Sequence, residues 1–252
     1  MSISAGTPPR RRAGGPVARP RRASRYGGAV TDLPTIRARL EAFEPPEITA
    51  EGLHQAAVAL VLREHRDRAE ILFIERSVRE GDPWSGHMAF PGGRVEAGDA
   101  DTRAAAERET MEEVGVSLAG ADYLGRLADI QGSPRFRQNR LVVSAHVYHV
   151  PDPGPFVLET REVADAMWFP VEGILEPARH VAYRSPQVTE VEFPGILVGR
   201  PGRHVVWGLT YRFIDIFMQA IALPLPDRWN PEDAARFRAL ADGPDRLRSD
   251  SS

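Results

Sequence analysis

The chain has 252 residues, 42% hydrophobic and 27% charged, with a formal net charge of −3. That balance predicts a soluble globular protein with a sizeable core, and no apolar run approaches the ~20 residues needed to span a bilayer. The absence of cysteine excludes disulfides, thiolate nucleophiles and Cys-ligated zinc.

Residues 1–30 hold seven arginines and no acid among Gly, Pro and Ser. Such a stretch cannot bury enough apolar surface to offset its ordering entropy, so a disordered tail is predicted. It has no apolar signal core, which makes the cytoplasm the expected compartment. The remaining chain is acidic, which argues against a specific nucleic-acid binder. Residues 33–43 read as a short helix ended by Pro45-Pro46, and residues 54–62 and 70–75 as paired strands around a charged turn. Residues 84–90 read as a further strand running into Gly92-Gly93. Strands are then expected at 123–130, 141–150 and 163–169, one helical turn at 171–175, and short strands at 181–183 and 188–193. Residues 207–223 have helical apolar spacing at Leu209, Phe213, Ile216, Phe217 and Ala220. Asn230 before Pro231 starts a short final helix through Leu240, and the last residues fray. The domain expectation is a tail at 1–30, one catalytic-type domain at 31–225, and a short helix with a frayed end at 226–252. Strands and helices in this order fit a mixed sheet between helices.

Gly92-Gly93-Arg94-Val95-Glu96-Ala97-Gly98-Asp99 leads into Arg108-Glu109-Thr110-Met111-Glu112-Glu113-Val114-Gly115. On a helix, Glu109, Glu112 and Glu113 span roughly 100° of the circumference, so they share one face. Their mutual repulsion calls for a cation, and hard oxygen ligands suit Mg²⁺ or Mn²⁺. Met111 and Val114 are expected to supply the buried face. A carbonyl of Gly92 or Gly93 could complete a metal shell, since glycine permits close approach. Arg108 is expected to be a structural counter-ion, pairing with Glu96 or another loop acid. In the loop 133–140, Arg135, Arg137 and Arg140 present forks for phosphate and Phe136 a stacking ring; the alternative is a solvated basic loop.

The Gly-to-Gly segment resembles the Nudix box, with Asp99 where the first glutamate is expected, one extra residue before Arg108, and Thr110 at an aliphatic position. Arg76-Ser77, then Gly86 and Phe90-Pro91-Gly92-Gly93, and later Trp207-Gly208-Leu209-Thr210, resemble the coenzyme A pyrophosphatase branch. Trp84 and His87 depart from that signature. The resemblance implies an α/β/α sandwich and a Mg²⁺- or Mn²⁺-dependent hydrolase of a small nucleotide substrate. It places Glu109, Glu112 and Glu113 at the metal with Gly93, and Arg76 and His87 on the substrate side, although His87 could equally be a plain strand residue. It implies a base at Glu162, with Glu109 as rival. Coenzyme A or an acyl-coenzyme A is the expected substrate; the alternatives are ADP-ribose, a dinucleotide or a nucleoside triphosphate. The competing class is a non-catalytic ligand-sensing domain, which has no need of all three glutamates. A homodimer is expected, with Trp207 and Phe213 as possible apolar surface.

Overall fold

The computed structural model describes residues 32–46, 48, 52–80, 84–132, 140–185 and 188–226. The expected tail at 1–30, the helix at 230–240, and Arg135, Phe136 and Arg137 lie outside them. Asp32 opens α1 (Leu33–Glu41) by accepting the Thr35 N–H at 2.8 Å, and Pro34 suits the first turn. Its buried residues are Leu33, Ile36 and Leu40, a single stripe at helical spacing.

β1 (His54–Glu64) is the central strand. Ala56, Leu60 and Leu62 enter the core on one face of the sheet, and Ala57, Ala59 and Val61 enter the core on the other. Both faces are covered, so the strand reads as a continuous apolar run. β2 (Ala69–Arg76) returns antiparallel through a tight turn in which Arg66 and Asp67 both have positive φ, 53° and 61°. That geometry matches the twist of a two-residue hairpin, and His65 and Arg68 exchange backbone hydrogen bonds across it.

β1 and β2 pair only where they leave the hairpin, at Leu62↔Ile71 to Glu64↔Ala69. Beyond that they part, and residues 88–94 fill the gap. β3 (Met88–Ala89) pairs with β2, and β4 (Gly92–Arg94) pairs with β1 at Ala56–Val58. The Gly-Gly turn is therefore held in the mouth of a split in the sheet. α2 (Thr102–Val114) follows, then β5 (Asp122–Arg126), β6 (Ile130–Gln131) and β7 (Leu141–His149), which lies parallel to β1. β8 (Val163–Pro170) pairs antiparallel with β2. One helical turn, α3 (Val171–Ile174), and a 3₁₀ turn at Pro177–Arg179 lead to a second sheet of β9 (His180–Ser185), β10 (Val188–Leu197) and β11 (Val205–Trp207). α4 (Gly208–Ala220) closes the described fold. The hydrophobic clusters place α2 on one face of the large mixed sheet and α1, α3 and α4 on the other, the expected helix–sheet–helix sandwich.

Several expectations are corrected. Residues 84–90 are mostly not a strand: Trp84 to Gly86 form a turn with Gly86 at φ +71°, and only Met88 and Ala89 pair. The strand expected at 123–130 is two strands, β5 and β6, with residues 127–129 between them, and Gly125 at φ +125° sits at a bulge inside β5 opposite β7. Trp207 ends β11 in extended conformation, so α4 starts one residue later. β11 itself was not anticipated. Met111 is 54% exposed, and the buried stripe of α2 is instead Ala105, Ala106, Thr110, Glu113 and Val114. Trp207 and Phe213 are buried at 5% and 1% exposure, so neither offers apolar surface to a second copy.

Candidate active site

The helix carrying the carboxylates is fixed at both ends. Asp101 accepts the Ala104 N–H at 2.8 Å, and Gly115 closes the helix at φ +71°, a conformation glycine adopts without cost. Small residues let α2 sit close to the sheet. Thr110, at the box's aliphatic position, is fully buried because its hydroxyl donates to the Ala106 carbonyl at 2.7 Å.

The glycine turn is shaped around this helix. The Gly92 N–H donates to Glu113 Oε2 at 2.9 Å, and a Cβ at Gly92 would meet the Ala57 carbonyl at 2.2 Å. A Cβ at Gly93 would lie 2.2 Å from Glu109 Oε1. Gly92 is thus demanded by contact with backbone, whereas Gly93 leaves the room that the Glu109 carboxylate occupies.

Glu113 is only 2% exposed, and burial pushes its carboxyl up to about 8; the charges of Glu109 and Glu162 add to this, while the Gly92 N–H and the Arg76 charge oppose it. Burial also raises Glu109, against the pull of Arg108. Arg108 donates from Nε and Nη2 to the two oxygens of Asp99, both at 3.0 Å, and to Glu109, Glu112 and the Arg94 carbonyl. The loop acid that pairs with Arg108 is therefore Asp99 and not Glu96, which contributes its backbone N–H to Asp99 Oδ2. Aspartate at this position is short enough to take both contacts while sitting 6% exposed.

Glu162 comes to the same place from a remote loop. The Val157 and Glu159 N–H groups donate to the Val114 and Glu113 carbonyls, which satisfies the open end of α2 and docks residues 157–162 beside it. Glu109, Glu113 and Glu162 then offer oxygens all within 4.8 Å of one another. Glu112 lies outside this group; its side chain is 60% exposed and turned to Arg108. Three hard oxygen donors, with one glycine cut away to admit Glu109, form a cradle that fits a divalent cation. Without a cation the repulsion among them, added to burial, favours the protonated form of Glu113.

Arg76 stands at the end of β2, with its charge acting on Glu113. His87 lies opposite it, its carbonyl accepting the Arg76 N–H at 3.0 Å. The His87 ring packs among Trp207 (4.9 Å between centroids), Trp84 (5.9 Å) and Tyr183 (6.3 Å). Arg140 sits at the entry to β7, donating to the Gly52 carbonyl. Its carbonyl accepts the His54 N–H, three residues along β1 from Ala57, the partner of Gly93. Arg79 carries no signal in the sequence, and Ser77 stands there only as part of the Arg76-Ser77 pair; both grip the Glu162 loop across more than eighty residues of chain.

A second group, Glu75, Asp165 and His204, also clusters within 4.8 Å. Strand alternation puts it on the other sheet face from Arg76. It is not arranged for a metal ion. His204 Nδ1 accepts the Arg200 N–H at 3.1 Å, Nε2 lies 3.5 Å from Glu75 Oε2, and Arg203 engages both Glu75 oxygens. This is an ionic clasp that fastens the turn before β11 to the sheet.

Residues 52–190, more than half of the chain, match the NUDIX domain. An uncharacterised protein of Schizosaccharomyces pombe is 37% identical over 110 residues, 42% of this chain and 33% of that protein. A probable nudix hydrolase of the same yeast is 28% identical over 180 residues, 70% of this chain and 59% of that protein. The matched regions thus span between a third and three fifths of these relatives. A solved MutT/nudix family protein from Enterococcus faecalis superposes with a TM-score of 0.47 at 17% identity, covering 77% of this chain and 71% of that one. With the family match laid over the split sheet, the glycine turn and the carboxylate helix, this chain belongs to the NUDIX family.

Proposed function

We propose that this protein is a Mg²⁺- or Mn²⁺-dependent pyrophosphohydrolase whose preferred substrate is coenzyme A or an acyl-coenzyme A. Hydrolysis would give 3′-phosphoadenosine phosphate and 4′-phosphopantetheine or its acyl form. The observation that carries the class is the Glu109–Glu113–Glu162 cluster behind the Gly92-Gly93 turn. Bound there, a divalent cation would neutralise phosphate oxygens and activate water. Glu109 and Glu113 would hold it, a Gly92 or Gly93 carbonyl could complete its shell, and Glu112 would take a second ion or bind through water. Glu162, the most exposed of the three, would take the proton from water, with Glu109 as the rival base. Arg108 keeps Glu109 in place through its own anchorage on Asp99.

Support for coenzyme A is a meeting of distant segments. Trp207 of the Trp-Gly-Leu-Thr segment packs on His87 and Trp84 of the approach to Phe90-Pro91-Gly92-Gly93, beside Arg76. Arg135, Arg137 and Arg140 would supply the extra positive charge that a 3′-phosphate requires beyond ADP-ribose, and Phe136 would give a ring for the base to stack on. The homodimer belongs to the same proposal, and a monomer by light scattering at micromolar concentration removes it.

The test compares kcat/KM for coenzyme A, dephospho-coenzyme A, ADP-ribose, NADH and nucleoside triphosphates with Mg²⁺ and with Mn²⁺. Coenzyme A is expected to rank first. If it falls below ADP-ribose by more than about tenfold, or about 1.4 kcal/mol of transition-state discrimination, the substrate reading fails and the hydrolase reading stands. A folded Glu113→Gln protein that hydrolyses as well as the parent removes the site assignment itself.

A further inference from the structure

Glu162 is in an awkward position. It is long, 44% exposed, and faces two other carboxylates whose charges oppose its own. Left to itself such a side chain moves out into water. The structure holds it with a dedicated frame. Residues 77–79 donate to three successive carbonyls of the loop. Ser77 Oγ donates to Thr160 O at 2.9 Å, Arg79 Nε to Arg161 O at 2.9 Å, and the Ser77 N–H to Glu162 O at 2.8 Å. Arg79 then reaches past the backbone, and its Nη2 donates to Glu162 Oε1 at 3.1 Å.

Arg79 is itself fixed. Ser85 Oγ accepts the Arg79 N–H at 2.8 Å and donates to the Arg79 carbonyl at 2.9 Å. The guanidinium is planar, so one edge can hold the loop carbonyl while its other end orients the carboxylate. Lysine, with a point charge, cannot do both. We propose that Arg79 is a positioning residue for the hydrolytic site, holding Glu162 against the Glu109–Glu113 pair so that the third carboxylate is available to metal and water. This rests on the proposed metal-dependent hydrolysis for its kinetics, but not for its binding prediction. As a half-exposed ion pair, the Arg79–Glu162 contact adds little to global stability. Losing it leaves a folded protein in which only the site is altered.

The experiment is a double-mutant cycle on the full chain, with Arg79→Gln, Glu162→Gln and the double variant, and Arg79→Lys alongside. Two readouts are taken. Mn²⁺ binding is followed by calorimetry and electron paramagnetic resonance without substrate. Steady-state kinetics use coenzyme A or ADP-ribose, whichever the parent turns over. Arg79→Gln is expected to weaken Mn²⁺ binding and lower kcat by about tenfold, the scale of losing an outer-shell partner, with KM changed by less than about twofold. Arg79→Lys recovers part of the loss. Once residue 162 is Gln, removing Arg79 changes neither readout further. If Arg79→Gln costs the same factor with Glu or with Gln at 162, Arg79 does not act through Glu162 and the proposal is overturned. A Mn²⁺ isotherm and kcat like the parent's overturn it too. If the parent hydrolyses no diphosphate, the proposed activity fails, and the Mn²⁺ cycle alone decides the role of Arg79.

Discussion

Replacing the two glycines of the turn singly should give opposite results. At Gly93 the backbone φ is not positive, so alanine meets no conformational strain, and the three nearest atoms are all of the Glu109 carboxylate, Oε1 at 2.2 Å and Cδ at 2.4 Å from the new Cβ. That oxygen is the end of a flexible side chain and can swing away. Gly93→Ala should therefore leave stability within about 1 kcal/mol of the parent, or raise it slightly through reduced unfolded-state entropy. The displaced Glu109 leaves the carboxylate cluster. Mn²⁺ affinity should fall by at least the ~10–100-fold typical of losing an outer-shell partner, with turnover falling alongside. At Gly92, φ is +152° and a Cβ would meet the Ala57 carbonyl at 2.2 Å and the Val58 Cα at 2.6 Å. Backbone strain of about 1–3 kcal/mol and overpacking of about 1–3 kcal/mol add, so Gly92→Ala loses roughly 2–6 kcal/mol. At roughly 2–4 °C per kcal/mol for a chain of this size, Tm drops by upwards of about 5 °C. Thermal unfolding paired with Mn²⁺ calorimetry separates the two variants. A Gly93→Ala protein with unaltered Mn²⁺ affinity would refute the reasoning, since Glu109 would then not be a ligand held by that contact.

Burial raises the Glu113 carboxyl from 4.5 to about 8, so between those values the folded, metal-free protein binds a proton the unfolded chain does not. Its stability should fall as pH rises through that window, measured by Tm in chelator; the slope should vanish in Glu113→Gln and shrink when excess Mg²⁺ favours the charged form. The opposite sign applies to His146, which burial depresses to about 4. That group contributes stability above its ordinary value of 6.5, lost as pH falls toward 4, and acid titration of Tm in a His146→Gln variant should show a shallower decline. Asp99→Asn removes the charge that anchors Arg108, leaving the guanidinium to bear on Glu109; Mn²⁺ affinity should drop by about 10–100-fold, read by calorimetry. Gly115→Ala puts a Cβ 2.8 Å from Val157 Cβ at φ +71°, so the loop after 156 should loosen, seen as faster hydrogen exchange at the Val157 and Glu159 amides.

The sequence by itself determined the parts whose cause is local. Asp32 and Asp101 before apolar or small-residue stripes start helices, Gly115 stops one, and two apolar runs either side of the charged 65–68 turn make a hairpin. The carboxylates at 109, 112 and 113 fall on one helix face for geometric reasons alone, and Arg108 needs an acid close by. Tertiary structure decided which acid. Asp99 rather than Glu96 reaches Arg108, because the loop folds back on the Glu96 N–H. It also separated Glu112 from its neighbours and exposed Met111, since helix periodicity does not say which arc meets the sheet, and it buried Trp207 at the end of β11 among Tyr183, Phe193 and His87. The third carboxylate of the cluster, Glu162, and its holder Arg79 depend on β8 lying beside β2 with Val163 opposite Arg76. That register is set by packing between segments some ninety residues apart, and no local propensity encodes it.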